Sequence, residues 1–378
     1  MSTILVAHPS PDLYGSDLQL VETIHALVDA GHVVKVALPA DGPLVPVLRQ
    51  AGATVAIIPF TVLRKALLNP RGLVGLGAGA GPEALRLARI IRSSGARVVL
   101  TNTVTIPTWP LAARLAGVPA IAHAHEAEDS QPLIIRAGLY APLLAARTVV
   151  ANSGATRDVL LSAHPLLKKR TRVIHNGVPG PERPLPGPRD RAAGTPFRVA
   201  LISRLSPRKG IDIALEAIGL LRAEGVDASL VVAGSVFPGY EWYEEQLRER
   251  ISQPDLSGAV ELLGYVNPTW PLLADADAVI VPSLGESFGN TAAEALHAGR
   301  PLVASRAQAL REVVRDGETG LLVDPASPQA LAAALAELER DPARARGLAA
   351  AGQADAAERF SVERYRSEIV DAVESLLQ

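Results

Sequence analysis

The sequence alternates, and it does so twice. Short apolar runs rich in β-branched residues, at 4–7, 33–38, 54–58, 98–101, 120–123, 148–151 and 172–174, are separated by longer stretches such as 17–30 and 82–93, where apolar residues recur at helical spacing. That alternation predicts a parallel sheet covered by helices on both faces. It stops at residues 177–196, GVPGPERPLPGPRDRAAGTP, where proline and glycine fill half the positions and neither a helix nor a central strand can run. It then restarts, with strand-like runs at 197–202, 229–233, 260–263, 278–281 and 301–304 and closing helical patterns at 326–339 and 362–377. A chain of 378 residues exceeds the length one core usually serves. The predicted fold class is therefore α/β, two doubly wound Rossmann-like domains facing a central cleft. The first is placed at 1–176, a linker at 177–196, the second at 197–360, and a closing helix at 361–378 that is expected to pack back on the first. Ligands of open α/β sheets bind at the carboxyl ends of the strands.

Composition removes several classes of function. The chain has no cysteine, which excludes disulfides, thiolate–zinc sites, iron–sulfur clusters and thiol nucleophiles. Aromatics are 4% of the residues, too few for a nucleic-acid stacking platform, so no nucleic-acid partner is expected. Charge is uneven: residues 1–180 hold 17 Lys and Arg against 10 Asp and Glu, while residues 181–378 hold 20 against 29. A basic first half suits an anionic partner or membrane surface. The first six residues lack the basic start of a secretory leader, and the greasiest region, 133–151, contains Arg136, Pro142 and Arg147. A cytoplasmic protein is expected. Arg86, Arg89 and Arg92 on one helical pattern, with Lys168, Lys169 and Arg170, leave peripheral contact with the inner face of a membrane as an alternative to an ordinary solvated face.

Two metal or cofactor readings fail on context. Gly75, Gly77 and Gly79 come near a dinucleotide fingerprint, but no strand precedes them and the last position is alanine, so the stretch is read as a flexible loop. Asp275 and Asp277 form a D-x-D, but it precedes the strand-like run at 278–281 and falls on the amino side of the sheet, where a loop role is preferred.

The strongest signal runs from Val281 to Pro301. A buried strand ends at Pro282, a loop containing Gly285, Glu286, Ser287, Phe288 and Gly289 follows, and a helix is expected with Asn290 as its N-cap. Free amides of such a turn bind phosphates or sugar hydroxyls. Glu286 and Glu294 flank it, seven residues lying between them, and the helix dipole is expected to keep Glu294 ionised. Upstream, the strand-like run at 197–202 leads into Ser203-Arg204-Leu205-Ser206-Pro207-Arg208-Lys209-Gly210, placing Arg204 and Lys209 at the sheet rim. In the first half, Val118-Pro-Ala-Ile-Ala-His123-Ala-His125-Glu126 runs from a strand into a loop that also holds Glu128 and Asp129. Two histidines there raise a metal reading, which the lack of a third ligand at a fitting spacing disfavours.

Together these segments resemble the GT-B retaining glycosyltransferases of family 4 over nearly the whole chain. The resemblance implies a hexosyltransferase-type enzyme that moves a sugar from a nucleoside diphosphate sugar, UDP- or GDP-linked, to an acceptor hydroxyl on a glycan, lipid-linked sugar or small metabolite. It implies retained configuration, no metal and no cofactor beyond the donor substrate. Glu294 would hold the donor ribose, Arg204 and Lys209 the diphosphate, and Glu286 with Ser287, Phe288, Gly289 and Asn290 the sugar; Ser287 stands where the family often has glycine. His125 would serve the reacting sugar, with His123 and Glu126 on the acceptor side. Gly15 and Ser16 match a glycine loop that approaches the donor phosphates, with Tyr14 in place of its first glycine. Arg172-Val-Ile-His-Asn176-Gly177 and the stretch from Glu312 to Val323 also match, as turns and strands. Two further readings stay open: a sugar-nucleotide epimerase on the same scaffold, and a non-catalytic sugar-nucleotide binder.

Overall fold

The structure, a computed structural model, describes every residue except 14, 64–69, 130, 189–190, 192–193 and 237–238, with the backbone alone for 16 and 70–78. The chain divides into two compact units, Met1–Gly177 with Val362–Gln378, and Val178–Ser361.

In the first unit, β1 (Thr3–Ala7), β2 (Val33–Leu38), β3 (Thr54–Ile57), β4 (Val98–Thr101), β5 (Ala120–Ala124), β6 (Thr148–Ala151) and β7 (Thr171–Val173) form one sheet. Its order is β3-β2-β1-β4-β5-β6-β7 and every pairing is parallel. All residues of β4, β5 and β6 are buried, which is why these strands read as unbroken apolar runs. The order reverses between β1 and β4, the switch point at which the carboxyl edge of such a sheet opens. The helix Gly15–Asp29 buries Leu20, Ile24 and Leu27 in the same core as Tyr365, Ile369 and Val373 of the closing helix Val362–Glu374. Thr23 Oγ1 and Tyr365 Oη lie 2.6 Å apart, and Arg366 clasps Glu22, so the last segment belongs to the first unit.

In the second unit, β8 (Phe197–Ile202), β9 (Ala228–Ala233), β10 (Val260–Gly264), β11 (Ala278–Val281), β12 (Leu302–Ser305) and β13 (Leu321–Val323) pair in the order β10-β9-β8-β11-β12-β13, again all parallel. The switch point lies between β8 and β11.

Three local features add to or depart from expectation for identifiable reasons. The described part of 177–196, expected as a linker, packs on the second unit: Val178 is buried and donates its N–H to Phe360 O at 2.9 Å, Leu185 packs on the core, and Arg191 pairs with Glu339. Gly75, Gly77 and Gly79 are not in a loop but inside the helix Pro70–Ser94. Glycine is only about 1 kcal/mol worse than alanine in a helix, and the buried Ala84, Leu87, Ala88 and Ile91 anchor the rest of it. The helix Pro342–Arg359 has no counterpart among the expected elements, because the residues it buries are mostly alanine and glycine and leave no stripe of large apolar side chains.

Among the described residues, no helix is long and apolar enough to cross a membrane. Arg86 and Arg92 each donate to a carbonyl of their own unit, Pro59 O and Leu115 O, and so have local work on an exposed helix face.

Candidate functional site

At the carboxyl edge of the second sheet, two chain segments cross at van der Waals limits. The segment leaving β8 makes one tight turn at Pro207–Lys209, and Gly210 follows in the left-handed region at φ 66°. A Cβ on Gly210 would lie 2.2 Å from Pro282 O, at the exit of β11, so glycine is the residue that lets the two segments touch. The contact is stitched by Leu284 N–H donating to Arg208 O at 2.8 Å and by Arg208 Nε donating to Gly285 O at 2.9 Å.

That crossing sets Lys209 against Glu286. Lys209 Nζ is 2.5 Å from Glu286 Oε1, and Ser283 Oγ donates to the same oxygen at 2.8 Å. Burial pushes the Glu286 carboxyl up, but the charge and hydrogen bond of Lys209, helped by Ser283 and by the charge of Arg208, outweigh it and hold the group below the usual carboxylate range. Glu286 is therefore an ionised, oriented carboxylate. Its Oε2 has no protein partner among the described residues. Arg204 sits exposed at the same strand exit.

Downstream, the N-cap of the helix Asn290–His297 is Gly289, at φ 107°, and Asn290 is the first helical residue. The left-handed φ at position 289 is one that a residue with a Cβ rarely adopts, and a Cβ there would also press on Leu310 Cδ2 at 2.7 Å, so glycine suits the turn. Phe288 turns away from the loop into the core, its ring 5.4 Å from that of Phe360 and nearly perpendicular to it. Its ring is thereby withdrawn from the loop surface. Ser287 and Asn290 are half-buried in the same turn. Glu294 corrects a further expectation. No hydrogen bond or ion pair reaches its carboxylate from the described residues, and burial raises it from the ordinary 4.5 to about 7. Desolvation wins over the dipole of an eight-residue helix.

That shift has a measurable sign. Between about pH 4.5 and 7 the folded protein holds a proton on Glu294 that the unfolded chain releases. The stabilisation is fully present below pH 4.5 and is lost as pH rises through 7, on the order of 3 kcal/mol. Glu294→Gln is expected to remove this slope and to be the more stable protein at pH 8. Urea unfolding of both proteins from pH 4.5 to 8 checks it; parallel curves would place the carboxyl in an ordinary environment.

On the first unit, His123 ends up wholly buried within β5, its ring 4.0 Å from that of His125 and 6.3 Å from that of Tyr365. Burial takes it down to about 3, so it is a neutral core residue with both ring nitrogens unpartnered, not a group offered to an acceptor. His125 lies just beyond β5 and hydrogen-bonds Asn102 Oδ1 through Nε2 at 3.1 Å; burial first, then the neighbouring His123 and His8, hold it well below the ordinary value. Glu126 is not part of a solvated acidic loop. It is enclosed, with Thr103 Oγ1, Val104 N–H and His125 N–H donating to its two oxygens, so it braces the loop that carries His125. Burial raises its carboxyl in spite of those donors. Gly15 begins the helix Gly15–Asp29; the Ser16 side chain and Tyr14 lie outside the described residues.

The D-x-D residues lie at the amino end of the second sheet, where Asp275 pairs with Arg198 and Asp277 accepts Arg198 N–H at 2.8 Å. Among the described residues there is no cluster of three His, Asp or Glu that would hold a metal ion. Sequence reasoning missed Ser283, Arg208 and Asn102. Arg208 acts through the backbone oxygen of the distant Gly285 and Asn102 on residues 94 and 23 positions away, while Ser283 meets Glu286 three residues on, a contact that only the folded loop makes.

Comparison with known proteins agrees with both halves. Residues 15–179 match the family model of Glycosyltransferase Family 4, and residues 196–341 match that of Glycosyl transferases group 1. A D-inositol 3-phosphate glycosyltransferase of Catenulispora acidiphila is 29% identical over 90% of this chain and 85% of its own length. A second, from Rhodococcus opacus, is 32% identical over 68% of this chain, though the match spans only 62% of that relative. The crystal structure of Anabaena HepE in complex with UDP and glucose superposes with a TM-score of 0.81 at 24% identity, covering 99% of this chain and 100% of that one. A glycosyltransferase from Rickettsia africae gives the same TM-score at 18% identity, covering 100% and 99%. The chain belongs to the glycosyltransferases of GT-B architecture.

Proposed function

We propose that the protein transfers a hexose from a nucleoside diphosphate sugar to an acceptor hydroxyl, with retention of configuration and with fixed protein cations in place of a metal ion. The observation that carries this reading is the Lys209–Glu286–Ser283 cluster at the exit of β11, with Glu294 one turn into the helix that follows. A donor sugar has hydroxyls to give, and Glu286 Oε2 is an ionised acceptor without a protein partner. A ribose diol has two hydroxyls for Glu294. As the nucleoside diphosphate departs, negative charge grows on its terminal phosphate, and Lys209 with Arg204 offers charge already in place.

UDP is the favoured nucleotide, because HepE of the same fold was crystallised with UDP and with UDP-glucose. The relatives named D-inositol 3-phosphate glycosyltransferase put phosphorylated polyols in the acceptor panel beside glycans and lipid-linked sugars. Peripheral membrane contact would follow from a lipid-linked acceptor and the exposed arginines at 86, 89 and 92.

The test is NMR of products from UDP-, GDP- and ADP-hexoses, each with the acceptor panel, with and without EDTA. Transfer with the anomeric configuration of the donor, unaffected by EDTA, is expected. A donor interconverted without any acceptor would make the protein an epimerase, and inverted product would remove the retaining assignment.

A further inference from the structure

The carboxyl ends of three adjacent strands in the first unit carry a buried polar chain that no local motif announces. His8 follows β1, Asn102 follows β4 and His125 follows β5, and these strands are neighbours in the sheet. Asp17, in the first turn of the helix Gly15–Asp29, closes the chain at its far end. His8 Nε2 is 2.7 Å from Asp17 Oδ1, Asn102 Nδ2 is 3.1 Å from His8 Nδ1, and His125 Nε2 is 3.1 Å from Asn102 Oδ1. His125, at 9%, is the most exposed of the four.

Each link has a direction that chemistry assigns. An ionised carboxylate only accepts, so the hydrogen facing Asp17 sits on His8 Nε2. Asn102 turns its amide NH2 toward His8 Nδ1, which must then accept with a lone pair. The carbonyl of Asn102 consequently faces His125, which must donate from Nε2. A histidine's tautomer is set by the hydrogen bond its other nitrogen makes. Burial, with His123 and His8 beside it, keeps His125 uncharged.

We infer that Asp17, His8 and Asn102 are positioning residues that fix His125 as its Nε2–H tautomer, so that Nδ1 is offered as a lone-pair acceptor to a substrate O–H. The inference rests on the reading of His125 as a group that meets the reacting sugar. It makes His125 a receiver of a hydroxyl hydrogen and not a donor to the departing oxygen. A doubly protonated His8 would turn the amide of Asn102 round and put the hydrogen of His125 on Nδ1.

Long-range 1H–15N correlation spectra of the full-length, histidine-labelled protein at pH 7.5 separate the two, with His125 identified by its loss in His125→Gln. The relay predicts a protonated Nε2 and an unprotonated Nδ1 in the parent. In Asn102→Ala and in Asp17→Asn these signals should move toward a mixture of tautomers. In Asn102→Asp, whose carboxylate accepts from both rings, they should stay. The value of kcat/KM should fall at least about tenfold in Asn102→Ala and recover in part in Asn102→Asp. An Nδ1–H tautomer in the parent, or an unchanged tautomer in both Asn102→Ala and Asp17→Asn, overturns the relay. A parent with the expected tautomer and no transfer to any acceptor overturns the functional reading and leaves the relay standing.

Discussion

Lys209→Ala is expected to lose both turnover and stability, and to lose turnover more. Lys209 is the cation nearest Glu286, at 2.5 Å, and the only side chain among the described residues that forms an ion pair with it. In the proposed transfer from a nucleoside diphosphate sugar its charge matters most as the diphosphate leaves, because such a donor in the ground state already spreads its charge over two phosphates. Removing one preorganised group of this kind typically costs about 3–4 kcal/mol of barrier, a fall in kcat of roughly two to three orders of magnitude. The donor KM should move far less. The same substitution leaves Glu286 largely buried with only Ser283 and the charge of Arg208 to support it, and breaking a buried pair on one side costs about 3–5 kcal/mol when the pair is fully enclosed. Here the side chains are 23% and 15% exposed, so the lower end of that range or less is expected. Steady-state kinetics with a thermal melt on the same sample reads both effects. Glu286→Gln alongside it separates them, since it spares the fold more than it spares the sugar contact. An unchanged kcat in Lys209→Ala would take this residue out of the mechanism.

Gly210→Ala should unfold or displace the site by geometry alone. Its φ of 66° is strained for any residue with a Cβ, and that Cβ would stand 2.2 Å from Pro282 O, a backbone atom with no side-chain freedom to yield. Either the β8 exit or the β11 exit must move, and the Lys209–Glu286 pair depends on both. A loss of about 3–5 kcal/mol in urea unfolding is expected, with the thermal shift from donor gone in whatever protein remains folded. Gly225→Ala is the control: its φ of 89° is also positive, but nothing lies within 4 Å of the added atom. If both variants lose the same stability, the crossing at Pro282 is not what holds the loops.

Much of this architecture was legible in the residues, because it depends on local pattern. β-Branched runs and helical spacing mark 197–202 and 278–281 as strands, and the strand exits carry Arg204, Lys209 and Glu286 to one edge of the second sheet. What was not legible depends on burial and on contacts distant in sequence. Asn290 is a good capping residue on propensity, but the turn puts the left-handed backbone, and with it the cap, on Gly289. Glu294 should be ionised by the helix dipole, yet with no cation or donor reaching it from the described residues desolvation decides. Phe288 looks like part of a ligand loop until Phe360, from the end of the second unit, claims its ring. His123 and His125 differ by two positions and by the fate of their nitrogens: one is sealed in the sheet, the other stands one residue past its end.

Isothermal titration calorimetry of UDP-glucose into the parent protein, Glu294→Ala and Lys209→Ala most directly tests whether the second unit holds a sugar nucleotide through these side chains. Runs near pH 6.5 in buffers of different ionisation enthalpy add the proton count, since a carboxyl titrating at about 7 must shed its proton to receive a ribose diol. The account predicts binding to the parent with proton release, and weaker binding without that release in Glu294→Ala. Binding of equal strength and equal proton release in all three proteins, or none in the parent with any of the UDP-, GDP- and ADP-hexoses, would contradict it.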